Sequence, residues 1–121
     1  MADSTGTSDN GVVYVDLEEG LKRIMHNTKL YVRLLTKFKS DADLEGALAD
    51  LAAGNYEGAQ VKAHTLKGIA ANLSLSELYR QTLDMETQIK AGSVDPSVPA
   101  AIRHCFSETV RYVDKVIAQY G

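Results

Sequence analysis

In the run Ala63-His64-Thr65-Leu66-Lys67-Gly68-Ile69-Ala70-Ala71, one histidine stands among residues that suit nucleophilic chemistry. Imidazole is largely neutral near neutral pH, so a ring nitrogen can offer its lone pair to phosphorus without a separate base. On a helix, Gln60, Lys67, Gly68 and Ala71 lie at i−4, i+3, i+4 and i+7 from His64 and are its surface neighbours. Two of these four have almost no side chain. A glycine inside a helix costs about 1 kcal/mol relative to alanine, so Gly68 calls for a reason beyond folding. Clearance is one: an acyl phosphate on a partner must come within bonding distance of the ring, and low relief at Gly68 and Ala71 lets it approach. Lys67 is expected to neutralise phosphoryl oxygens as a mobile point charge.

Such a nucleophile needs a rigid helix to carry it and a second group to orient it. Between Asn55 and Leu73, the residues Ala59, Ala63, Leu66, Ala70 and Leu73 recur at the three- and four-residue spacing of a packed bundle seam. At about 100° per residue, His64 falls roughly 140° from the middle of that seam and faces solvent. The turn to the next helix lies near residues 73–76, so His64, about ten residues before it, comes level with Glu86, about eleven after it. A carboxylate there would accept a hydrogen bond from Nδ1–H, set the tautomer and leave Nε2 as the nucleophile. Gln88 is a second candidate for that role. The ordinary reading of Asp84, Glu86 and Lys90 is a solvated charged face.

The remaining elements form a frame for this pair. Asp16 suits the N-cap of a short leading helix with Leu17, Leu21 and Ile24, and Glu19 stands at capping-box spacing. Asn27 or Thr28 opens a second helix, in which Leu30, Leu34 and Phe38 make the inner stripe and Tyr31 and Leu35 widen it. Lys39-Ser40-Asp41 predicts a break, after which Leu44, Leu48 and Leu51 continue to Gly54, a natural C′ residue. Ser74 or Ser76 opens the helix of Leu75, Leu78, Met85 and Ile89, which closes at Ala91-Gly92. The last helix runs from about Ser97 to Tyr120, with Pro99 in its first turn and Ile102, Phe106, Val110, Val113 and Ile117 facing inward. The expected fold is all-α: an antiparallel up-and-down four-helix bundle with a short leading helix. Residues 1–11, rich in Ser, Thr, Asp and Gly, are expected to be a disordered tail ahead of one domain spanning 12–121.

Composition narrows the partners. The net charge is −3, and Lys and Arg are scattered among acidic residues, which argues against nucleic acid. No apolar run approaches the roughly 18 residues of a membrane span, and the first residues lack a signal-peptide pattern, so a cytoplasmic location is expected. The single Cys105 reads as a small buried hydrophobe. His26 and His104 read as ordinary surface residues, and no spacing suggests a metal site.

The run AHTLKGIAANLSLSEL, residues 63–78, is similar to the signature of histidine-containing phosphotransfer domains, H-x-x-K-G followed by small residues. The similarity extends over LYVRLLTKF at 30–38 and DLEEGLKRI at 16–24. It implies a phosphorelay intermediate that accepts a phosphoryl group from an aspartate of one receiver domain and passes it to another. By this resemblance His64 is the phosphoacceptor, Lys67 and Gly68 are its supporting pair, and Glu86 takes the helix position where members carry a hydrogen-bonding Glu or Gln. The resemblance also implies a phosphocarrier without an ATP site or cofactor of its own. Response-regulator receivers and a hybrid or separate histidine kinase would be its partners, with Mg²⁺ and an acidic pocket on the receiver. Receiver docking is expected around His64, Gly68 and Ala71, with Gln60 and with Leu17 and Leu21 of the leading helix, on a monomer. Many members carry Gly ten residues after the histidine where this chain has Ser74, so a serine cap is expected there. Two other readings use the same bundle: a receiver-binding module that carries no phosphate, and the phosphoacceptor domain of a larger chemotaxis-type kinase.

Overall fold

The computed structural model describes residues 4–121. Six helices follow one another: α1 (Leu17–Arg23), α2 (Thr28–Phe38), α3 (Asp43–Ala52), α4 (Tyr56–Asn72), α5 (Ser76–Lys90) and α6 (Val98–Tyr120). Local chemistry sets most of the helix starts. The side chains of Asp16, Asn27 and Asn55 accept hydrogen bonds from the backbone N–H groups of Glu19, Leu30 and Gly58, which would otherwise be unpaired. Gly54 and Gly92 leave α3 and α5 with φ of 78° and 79°, a conformation that costs a residue with Cβ but not glycine.

Packing closes these helices into a ring. α3 lies against α4, α4 against α5, α5 against α6, and α6 returns to α2, so the broken pair α2–α3 forms one side of a four-helix bundle. α4 contributes Ala59, Ala63, Leu66 and Ala70, all fully buried, and three alanines in that seam let its backbone approach α3 and α5 closely. No helix among the described residues is long and apolar enough to cross a membrane. Cys105 is buried, and burial pushes its thiol up to about 11, which leaves it protonated and unreactive.

Several details differ from the sequence expectation, each for a tertiary reason. The inner stripe of α2 is Tyr31, Leu35 and Phe38, while Leu30 and Leu34 are only half-buried. The Tyr31 hydroxyl donates to the Leu73 carbonyl at 2.6 Å, and the ring end lies where a Cβ on Gly20 would collide with it. That buried hydrogen bond turns α2 inward on its tyrosine. On α6 the buried residues are Ile102, Cys105, Thr109, Tyr112, Val113 and Val116, whereas Phe106, Val110 and Ile117 are partly exposed. Thr109 tolerates burial because its hydroxyl donates to the Cys105 carbonyl at 2.7 Å. Ser74 does not cap α5: it adopts φ of 56°, its hydroxyl donates to Glu19 at 3.1 Å, and Leu75 takes the cap position.

The expected tail needs the same revision. Residues 1–3 lie outside the described residues, but residues 4–15 fold back on themselves, with the N–H groups of Tyr14 and Val15 both donating to the Gly6 carbonyl. Val15 is buried, and Tyr14 stacks on Tyr112 at 5.0 Å between ring centroids. The Val13 carbonyl accepts from Glu77 N–H, an orphan donor in the first turn of α5, and Asp16 N–H donates to the Ser74 carbonyl. The apolar stretch Val12 to Val15 thus anchors a strap over the α4–α5 turn.

Asp41, in the break between α2 and α3, makes stability depend on pH. Its carboxylate accepts from Asp43 N–H at 3.0 Å, and burial, followed by the side chain and charge of Asp43, pushes its carboxyl up to about 6. The folded state therefore holds this proton more tightly than the unfolded chain, whose Asp titrates near 3.9, and stability falls as pH rises from about 4 to about 6. Asp41→Asn keeps an acceptor for Asp43 N–H without the charge. After allowance for solvent screening, the variant is expected to be more stable than wild type by about 1 kcal/mol at pH 7 and equal to it near pH 3.5. Urea melts at both pH values check this. A gap of the same size at each would contradict it.

Candidate functional site

α4 presents His64 on the face opposite its alanine seam, with its side chain 68% exposed. α5 runs back beside α4 and brings Glu86 level with it, so that His64 Nδ1 lies 3.0 Å from Glu86 Oε2. Glu86 is only 2% exposed, on the buried side of α5 with Thr82 and Met85, while Asp84 and Thr87 point to solvent. A solvated charged face is therefore the wrong description of this residue. A carboxylate can only accept, so Nδ1 carries the proton, and in the neutral ring the lone pair is on Nε2.

A carboxylate so deeply buried needs compensation. The Lys67 ammonium lies 2.6 Å from Oε1, off the angle of a regular hydrogen bond, and Lys90 lies 3.7 Å from Oε2. Burial pushes the Glu86 carboxyl up, but the close contacts of Lys67 and His64 and the charges of Lys67 and Lys90 outweigh it and hold the group below the usual carboxylate range. Lys67 is accordingly not the freely mobile charge expected from its spacing. Its side chain is 20% exposed and tied to Glu86, whereas that of Lys90 is 55% exposed and more distant.

Gly68 lies one turn from His64, and a Cβ built on it meets nothing within 4 Å. Nothing inside the fold requires glycine there. Ala71 and Gln60 are half-buried on the same side of α4. Val61, 64% exposed, adds an apolar residue three positions before His64, and Leu83 and Tyr79 of α5 are exposed as well. These three escaped the sequence reading because exposure of an apolar residue leaves no mark in a periodicity dominated by the core.

Other expected members are not brought together. Leu17 is 3% exposed and belongs to the core under α1, so it offers no docking surface, and Leu21 is half-buried against the same core. Gln88 hydrogen-bonds Asp84 and the backbone of Asp95, at the α5–α6 turn, and does not reach His64. Among the described residues no group of three or more His, Cys, Asp or Glu side chains is arranged to hold a metal ion.

The family model described as Hpt domain matches residues 33–112, a span that runs from α2 to Tyr112 of α6 and includes His64, Lys67, Gly68 and Glu86. No curated protein and no solved structure matches the chain. Hpt domains are phosphocarriers of two-component phosphorelays, and they work with receiver domains and histidine kinases. With the matched span covering the helical ring and the face that carries His64, this chain belongs to the Hpt domain family.

Proposed function

We propose that His64 accepts a phosphoryl group from the aspartyl phosphate of one receiver domain and delivers it to the aspartate of another. The observation that carries this reading is the exposed His64 ring held through Nδ1–H by buried Glu86 at 3.0 Å. Nε2 attacks phosphorus, the N–P bond forms as the acyl O–P bond breaks, and the donor aspartate leaves as a carboxylate. The ring then bears a positive charge, which anionic Glu86 stabilises at Nδ1–H. Glu86 thus orients the nucleophile before the step and balances its charge afterwards, and Lys67 keeps Glu86 ionised and in place. Transfer in the opposite direction uses the same groups. The receiver would bring Mg²⁺ and its acidic pocket to the phosphoryl oxygens.

The test is transfer from a panel of receiver domains phosphorylated on their aspartate. At least one is expected to pass its label to this protein as an acid-labile, alkali-stable phosphohistidine. A panel that binds the protein but transfers nothing would favour a docking module instead.

A further inference from the structure

Three cationic or potentially cationic groups surround one buried carboxylate, and they are not held alike. Lys67 and Lys90 flank the His64–Glu86 pair along the bundle, Lys67 three residues further along α4 and Lys90 four residues beyond Glu86 on α5, which runs the other way. Lys67 is mostly buried and 2.6 Å from Glu86, so drawing it away would strip a 2%-exposed carboxylate of its nearest counter-ion. That is costly in a desolvated site. Lys90 is half-exposed and 3.7 Å from the carboxylate, so its ammonium is already partly hydrated and its release costs less than that of Lys67. Lys90 lies beside Glu86 Oε2, the same oxygen that holds the His64 ring, and its stem is long and flexible.

We infer that the two lysines divide the work: Lys67 stays clamped on Glu86, and Lys90 swings to the phosphoryl oxygens as their counter-ion. The dianionic phosphoryl group attracts whichever ammonium is cheapest to move, and that is Lys90. The exchange makes no covalent change. One loose ion pair gives way to a charge-assisted contact with phosphate, while the ring's new positive charge takes over on Glu86 Oε2. This assignment rests on His64 being the phosphoacceptor.

The experiment uses phosphoramidate, a small phosphoryl donor that requires no receiver, and follows the pH titration of the ³¹P resonance of phosphohistidine. In Lys90→Met the second ionisation of the phosphoryl group is expected at higher pH than in wild type, because its counter-ion is gone. Label transfer from a receiver should slow about fivefold, matching the roughly 1 kcal/mol upper range of exposed pairs. Thermal stability should be unchanged, and Lys90→Arg should restore the wild-type titration. Lys67→Met, where it folds, should leave the ³¹P titration in place. A titration that does not move in Lys90→Met, or that moves in Lys67→Met alone, overturns the division of labour while leaving His64 as phosphoacceptor. Absence of phosphohistidine in wild type would overturn both.

Discussion

Replacing His64 with Gln is expected to abolish phosphoryl acceptance, with label from a phosphorylated receiver falling at least about a thousandfold to background, because no other group at the site offers a nucleophilic nitrogen of this kind. The fold should be indifferent to the change. His64 is 68% exposed, its polar partner Glu86 keeps Lys67 and Lys90, and a glutamine amide can still donate to the carboxylate. Stability should therefore stay within about 0.5 kcal/mol of wild type, the usual range for surface substitutions. Label transfer together with thermal unfolding followed by circular dichroism measures both. Label retained by the folded variant would place the phosphoacceptor on another residue.

Gly68→Leu is expected to push stability and activity in opposite directions. A Cβ at this position meets nothing within 4 Å, so a larger side chain projects into solvent, and losing a mid-helix glycine should stabilise the protein by about 0.5–1 kcal/mol. The same side chain stands one turn from His64, where a receiver must bring its aspartyl phosphate to the ring. Transfer from the receiver should fall about a hundredfold, the scale of a displacement of about 1 Å at a reacting centre. Labelling by phosphoramidate, which needs no protein surface, should be nearly unchanged. This split separates clearance from chemistry. Equal losses with both donors would mean that the added side chain disturbs the ring itself, and no loss with either would remove clearance as the reason for the glycine.

How much of this was legible beforehand follows the range of the forces involved. Helix starts at Asp16, Asn27 and Asn55 and exits at Gly54 and Gly92 depend on atoms within a few residues, and the chain states them openly. The His64–Glu86 contact spans 22 residues but needed only the 1.5 Å rise of two antiparallel helices and the position of one turn. The depth of Glu86, by contrast, depends on how α4, α5 and their side chains close over it. With that depth unknown, Lys67 had no evident reason to be bound, and it read as mobile. Leu17 was expected at the docking surface as part of what the family resemblance implies, which carries no information on its depth. Its burial follows from the strap at 4–15 and from the Asp16 bond to Ser74, contacts between segments nearly sixty residues apart. The inward turn of α2 rests likewise on one hydrogen bond from Tyr31 to Leu73, invisible to a count of apolar residues.

The geometry makes one statement that phosphorylation chemistry can check at a single atom. With Nδ1–H committed to Glu86, the proposed phosphoryl transfer has Nε2 as its acceptor atom. The most direct measurement is a two-dimensional ¹⁵N NMR spectrum of the ring nitrogens of His64, recorded on protein phosphorylated by a receiver domain. The account predicts a phosphorus-coupled Nε2 and a protonated Nδ1 that is lost as a hydrogen-bond donor in Glu86→Leu. Phosphorus on Nδ1, or label on any residue other than His64, would contradict it.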